Sequence, residues 1–210
     1  MNRFIAITGG IGSGKSTVSR CLTTLGYPVY DCDSQAKTLM DSNPEIISRI
    51  ASEVCSEAVT DGKINRTVLA SAVFADIKKL HRLNEIVHGS VRADIRRWRE
   101  SHSQYPVLFL ETAILMESNL HLQVDEVWHV DAPESTRLQR ACLRDNVPAE
   151  AVRARMRRQR IVSQDDLNVP LRIIDNEGSK PLLPQIQQLL SQIPGALPAP
   201  GLWTSSIKQP

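Results

Sequence analysis

The run Gly9-Gly10-Ile11-Gly12-Ser13-Gly14-Lys15-Ser16 constrains this chain more than any other feature. It fits the pattern G-x-x-x-x-G-K-[ST]. It stands between an apolar β-type run, Phe4 to Thr8, and a helical pattern in which Val18, Cys21, Leu22 and Leu25 recur at i, i+3, i+4 and i+7. A strand, a glycine loop and a helix in that order build a phosphate cradle. Glycines let backbone N–H groups converge on an anion without side-chain obstruction, and the helix N-terminus adds partial positive charge. Gly10, Ile11, Gly12, Ser13 and Gly14 are therefore expected to wrap the phosphates of a nucleotide. Lys15 is placed to reach the β- and γ-phosphates, Ser16 to ligate Mg²⁺, and Thr17 to lie near the α-phosphate. The competing account is a glycine-rich turn that only joins strand to helix. It leaves the fixed lysine and serine unexplained.

The rest of the chain reads as an α/β protein. Gly26 stops the first helix, and Val29-Tyr30 is a second short strand ending in Asp31-Cys32-Asp33. Strands return at Val107 to Leu110, Val127 to Val130 and Arg172 to Ile174. Continuous apolar runs of this kind suit strands buried on both faces of a parallel sheet. Residues 34–103 are mainly helical, with Leu80, Leu83, Ile86, Val87, Val91, Ile95 and Trp98 on one long apolar face. Pro133 opens another helix at a favoured first-turn position, and Leu182 to Leu190 form a last one. The expected fold is a P-loop parallel sheet flanked by helices. Residues 1–33, 104–135 and 166–193 form its core, with a helical insertion at 34–103 and an arginine-rich lid at 136–165. From Pro194 on, Pro, Gly, Ser and Ala dominate, so 194–210 is expected to be a disordered tail.

Composition narrows the function classes. The 210 residues suit one globular domain with small insertions, and a net charge of +2 gives no global bias toward nucleic acid or membrane. The apolar N-terminal run is too short for a signal peptide, and no stretch approaches a membrane span. Cys21, Cys32, Cys55 and Cys142 are scattered without metal-ligand spacing and read as reduced thiols. A cytoplasmic monomer or weak oligomer is expected.

Among nucleotide-binding chains, a regulatory GTPase needs an Asn-Lys-x-Asp type guanine reader, and none is present. Asp175-Asn176-Glu177-Gly178 spells D-x-x-G but comes too late, and an ABC-type signature loop is missing. Small-molecule kinases place an acceptor-binding region after strand 2 and a lid of arginines late in the chain. This sequence has both. Asp31 and Asp33 end strand 2, the edge at which open α/β sheets bind ligands. A carboxylate there can receive the proton of an attacking hydroxyl, while helix N-capping is the alternative for Asp33. The lid holds Arg140, Arg144, Arg153, Arg155, Arg157, Arg158 and Arg160. Guanidinium groups stabilise charge on a transferring phosphoryl group, although most of these must also be read as a solvated helix face. Aromatics make up only 4% and none interleaves with the arginines, which argues against a nucleic-acid surface. Glu111 ends a strand and could hold Mg²⁺ through water, or be a surface carboxylate.

These residues resemble the dephospho-CoA kinase family. Ile7-Thr8-Gly9-Gly10-Ile11-Gly12-Ser13-Gly14-Lys15-Ser16-Thr17-Val18 is similar to the start of that family, and its Thr-Gly-Gly-Ile portion is not shared by phosphate loops in general. Asp31-Cys32-Asp33 resembles the family's D-x-D, Gly62 to Arg66 with Leu69 and Phe74 its G-x-(I/L)-x-R…L…F segment, and Asn84 to His88 the helix before its His-Pro pair. Ile114 to Glu117 resembles the end of P-L-L-F-E. Arg140, Arg144-Asp145 and Gln159 fall on its R-x-x-x-R-D and later Gln, and Ile174 to Gly178 on its I-x-N-x-G. The resemblance covers residues 3 to about 192. It implies transfer of the γ-phosphoryl group of ATP, with Mg²⁺, to the ribose 3′-hydroxyl of dephospho-CoA. It implies Asp33 as the base beside Lys15 and Arg140 as catalytic groups, with Arg144 and Asn176 also on the ATP side. Asp31, Lys37, Arg66, His88 and Glu117 would serve the acceptor. Three positions depart from the pattern: Lys37 stands for Arg, Gly89 for the Pro of His-Pro, and Ala113 for the Pro of P-L-L-F-E. Lys37 keeps the charge but not the bidentate fork. A nucleoside or nucleotide kinase of similar fold and an RNA-binding regulatory module are the rival readings.

Overall fold

The computed structural model describes residues 2–196. In chain order the elements begin with β1 (Arg3–Thr8), α1 (Lys15–Thr24) and β2 (Val29–Asp31). There follow α2 (Cys32–Ser42), α3 (Pro44–Glu53), β3 (Val59–Thr60), β4 (Lys63–Ile64), α4 (Arg66–Ala75) and α5 (Ile77–Ser101). The chain returns through β5 (Val107–Glu111), β6 (Glu126–Asp131), α6 (Glu134–Asp145), α7 (Ala149–Arg158), β7 (Leu171–Asp175) and α8 (Leu182–Ser191). Asp31–Ser101 form one compact unit, and the described residues before and after them form the other.

The outer segments build a five-stranded sheet in the order β2-β5-β1-β6-β7, in which β1 pairs in parallel with β5 and β6, and β6 with β7. Phe4 to Thr8 on β1 and Val107 to Leu110 on β5 are fully shielded, as continuous apolar runs in a central parallel sheet must be. Phe109 is the centre of an aromatic cluster, its ring centroid 5.7 Å from that of Tyr27 in a T-shaped pair and 5.1 Å from that of Trp128. Val18 and Leu22 of α1 and Ile186 and Leu190 of α8 close the core around them. Glu126 is buried at the amino end of β6, where it accepts hydrogen bonds from Arg3 at 2.7 Å and Trp128 Nε1 at 2.9 Å.

The chain end differs from the expectation of disorder beginning at Pro194. Ile193 and Ala196 are buried in the main core. A turn at Pro194-Gly195 brings the Ala196 N–H back to the Ile193 carbonyl at 3.1 Å, and the Tyr27 hydroxyl donates to the Ala196 carbonyl. Composition cannot show a partner 169 residues away. The rest of the expected tail, 197–210, lies outside the described residues.

The second unit is helical apart from the short β3–β4 hairpin, a feature not read from the sequence. Its core joins Ile46 and Ile50 of α3, Leu69 and Val73 of α4 and Ile86 of α5. Asparagine or aspartate side chains start its helices, Asp76 before α5 among them, where it accepts from the Lys78 and Lys79 N–H groups. Asp31 caps α2, Asn43 caps α3 and Asn65 caps α4, each accepting from two backbone N–H groups of the first turn. Arg82 of α5 pairs with Glu53 of α3 and with Glu85 one turn on.

Candidate active site

The glycine loop leaves β1 at Thr8 and enters α1 at Lys15, with Gly14 in the left-handed N-cap position at φ 97°. It is braced from behind by its own fold. A Cβ on Gly9 would lie 2.2 Å from the Val130 carbonyl oxygen, and one on Gly12 would lie 2.1 Å from that of Arg137. Both residues also have positive φ, 148° and 78°. Lys15 Nζ donates to the carbonyls of Gly9 at 2.9 Å and Gly10 at 3.4 Å, so the ammonium sits over the loop it serves. Ser16 is exposed in the first turn of α1.

The nucleotide-side candidates form a connected frame around that loop. Asn176 follows β7, and its Nδ2 donates to the Ser13 carbonyl at 2.7 Å, close against the Gly14 backbone. Its own N–H donates to the Asp131 carbonyl at 2.8 Å. Its carbonyl accepts from Arg140 Nη1 at 2.9 Å. In this structure Arg140 and Asn176 therefore hold the loop's shape. Arg144 makes a paired hydrogen bond to Asp145, at 2.7 and 3.2 Å, and Arg155 reaches the same carboxylate at 2.6 Å. The two guanidinium groups hold the Asp145 carboxyl far below the usual carboxylate range and tie α6 to α7.

Three residues near the loop were not singled out by chemistry in the sequence. Arg137, one turn before Arg140, donates through Nε to the Ala132 carbonyl at 3.0 Å. Its Nη1 stands 2.1 Å from where a Gly10 Cβ would be. Its spacing of three from Arg140 on one helix was the available signal. His129, paired in register with Thr8 of β1, is buried, with Nδ1 among the described atoms that lack a partner. Burial pushes its pKa below the ordinary imidazole value, Lys15 and Arg137 add to that, and Asp131 opposes it. Inside an apolar strand run it gave no signal. Gln159, known from the sequence only through resemblance, accepts from the Ile11 N–H at 2.8 Å. Its Nε2 donates to the carbonyls of Ala113 at 3.1 Å and Gly9 at 3.4 Å.

Glu111 is the last residue of β5, aligned with Ile7 of β1, and Glu117 is exposed in the segment that follows. Among the described residues no cluster of three or more His, Cys, Asp or Glu could hold a metal by itself. A hydroxyl and a carboxylate, Ser16 and Glu111, fit Mg²⁺ in donor chemistry. That ion takes most of its oxygens from phosphates and water.

In the second unit, Asp31 accepts from the N–H groups of Asp33 and Ser34, each at 3.0 Å, and from the Ser34 hydroxyl at 2.6 Å. Asp31 is thus the N-cap, and the capping alternative considered for Asp33 is taken by its neighbour. Asp33 and Lys37 are exposed on α2, His88 lies on α5, and Arg66 pairs with Asp41 at 2.8 Å.

Residues 3–181 match the profile of the dephospho-CoA kinase family. The chain belongs to that family. A dephospho-CoA kinase from Porphyromonas gingivalis is 44% identical over 152 residues, 72% of this chain and 75% of its own. One from Bacteroides fragilis is 37% identical over 187 residues, 89% of this chain and 91% of its own. A crystal structure of a Thermus thermophilus protein superposes with a TM-score of 0.72 at 33% identity, covering 90% of this chain and 95% of that one. As a dephospho-CoA kinase the chain is a phosphotransferase, its activity is the final step of CoA biosynthesis, and family membership implies ATP as donor. Among the described residues no helix is long and apolar enough to cross a membrane.

Proposed function

We propose that the chain transfers the γ-phosphoryl group of ATP to the ribose 3′-hydroxyl of dephospho-CoA, with the roles divided as follows. Gly10 to Gly14 wrap the phosphates, Lys15 neutralises charge at the β- and γ-phosphates, and Thr17 serves the α-phosphate. Arg140 and Arg144 add positive charge on the ATP side, and Asn176 keeps the loop in shape. Ser16 and Glu111 would hold Mg²⁺, which supplies Lewis-acid stabilisation of the phosphate oxygens when bound. Asp33 receives the proton that the acceptor hydroxyl gives up as its oxygen attacks phosphorus, and ADP leaves with the bridging oxygen. Asp31, Lys37, Arg66, His88 and Glu117 bind the acceptor, Asp31 by shaping the first turn of α2. The enzyme works in the cytoplasm as a monomer or weak oligomer, with no nucleic-acid or membrane partner.

The observation that carries this reading is the strand–loop–helix cradle with Lys15 at its rim, braced by Asn176 and backed by arginines. The test is mass detection of CoA after incubation with ATP, Mg²⁺ and dephospho-CoA, with nucleosides and nucleotides offered as alternative acceptors. CoA should form only when all three components are present. Faster ADP release with a nucleoside acceptor than with dephospho-CoA would overturn the acceptor assignment.

A further inference from the structure

We propose that Gln159 is a positioning residue. It registers the arginine-bearing helix α7 on the phosphate loop, so that the lid's charges meet the transferring phosphoryl group in one geometry. The proposal rests on the phosphoryl-transfer reading above.

Gln159 directly follows α7, whose last residues are Arg157 and Arg158, and its N–H closes the helix on the Met156 carbonyl at 3.2 Å. Its planar amide then engages three backbone sites, the Ile11 N–H and the carbonyls of Gly9 and Ala113. Two of these belong to the phosphate loop and one to the segment leaving β5. The Ile11 N–H is thereby satisfied inside the protein, which decides which loop donors remain for phosphate.

A second contact repeats the seating. Ile161 Cδ1 lies 3.4 Å from where a Gly10 Cβ would stand, although the side chain is half exposed. The stretch beyond is stiffened by the Arg160–Asp166 ion pair and by the reciprocal Ser163–Asp166 capping box. The last turn of α7 is also tied to the end of α6, where Arg155 donates to the carboxylate of Asp145. The C-terminal end of helix α7 is therefore fastened twice, and the Gln159 fastening ties it by hydrogen bonds to the loop that holds the phosphates.

The residue type follows from the bonds. The group must accept from one N–H and donate to two carbonyls, which a primary amide does with one planar head. A carboxylate has the acceptor but would face two carbonyl oxygens. Lysine and arginine have no acceptor, and asparagine is one methylene short. A protonated glutamic acid is the closest substitute, since it offers one acceptor and one donor.

The test compares Gln159→Ala and Gln159→Glu with the wild type. In Gln159→Ala, kcat should fall about 10- to 100-fold, the cost of misplacing a stabilising group by roughly 1 Å. KM for dephospho-CoA should stay within about threefold and Tm within about 4 °C. For Gln159→Glu, the ratio of kcat to wild type should climb at least about fivefold from about pH 8 to about pH 5.5, as the carboxyl takes up its proton. The same ratio for Gln159→Ala should stay flat. A purely structural role would instead lower Tm in both variants and leave both ratios independent of pH. Gln159→Ala with kcat within about twofold of wild type, or a flat Gln159→Glu ratio, overturns the proposal. Amide hydrogen exchange supplies a readout independent of turnover. Ile11 should lose protection in Gln159→Ala, and unchanged exchange there also overturns it. Wild-type protein without dephospho-CoA turnover would count against the function reading, and the exchange result would still decide the fastening.

Discussion

Lys15 rests on the carbonyls of Gly9 and Gly10, the same ammonium that the nucleotide phosphates require. Lys15→Ala should lower kcat at least about 10²- to 10³-fold, as losing a preorganised electrostatic donor does, with Tm nearly unchanged. Normal turnover by the folded variant would remove the loop from the mechanism. Asp31 and Asp33 separate by assay. Asp33→Asn should lower kcat by roughly 10²-fold with ATP binding intact, measured by single-turnover transfer beside a binding titration. Asp31→Ala should instead destabilise by about 1 kcal/mol through loss of the α2 cap, visible as a lower urea midpoint. Letters alone left that boundary open by two residues, and the hydrogen bonds place it at Asp31. His129 gives a pH-dependent signature. Burial lowers its folded-state pKa, so the folded protein refuses a proton that the unfolded chain accepts. The neutral form's stability is complete above about pH 6.5 and is lost progressively as pH falls below it. Tm measured from about pH 7.5 to about pH 5.5 should drop more in wild type than in His129→Gln, and parallel curves would exclude the assignment.

Elements were legible where one physical cause dominated. Long apolar runs between turn residues mark β1, β5 and β6 because both faces of a central parallel sheet are covered. The 3.6-residue recurrence in α5 marks Ile86, Val91 and Ile95, which the structure buries. The β3–β4 hairpin carries two residues per strand and too little periodicity to read. Arg137 and Gln159 escaped a chemical reading because their roles are tertiary. Gln159 meets Ile11 across 148 positions, and no local pattern encodes that. The lid's arginines also sort by partner. Arg144 and Arg155 share Asp145, while Arg153 and Arg157 pair with Glu150. Asp145→Ala should therefore raise amide hydrogen exchange in α7 while leaving α1 as it was. Equal change in both helices would mean that Asp145 supports the fold generally.

At the scale of the molecule, the chain end tests how far composition can be trusted. Removing 193–210 strips Ile193 and Ala196 from the core and the acceptor from Tyr27, whereas removing 197–210 keeps all three. A buried isoleucine alone contributes about 1.5–3 kcal/mol, so the longer deletion should melt several degrees below the shorter. Identical melting would show that the turn at Pro194 adds nothing. The phosphate loop raises a similar question of what a residue is for. Val130 and Arg137 carbonyls occupy the space where side chains at 9 and 12 would go. These glycines are thus demanded by the resting scaffold before any nucleotide arrives. In a saturation library scored only for folded yield, positions 9 and 12 should be as intolerant as in one scored for cell growth. Ser16, facing solvent, should pass the first screen and fail the second.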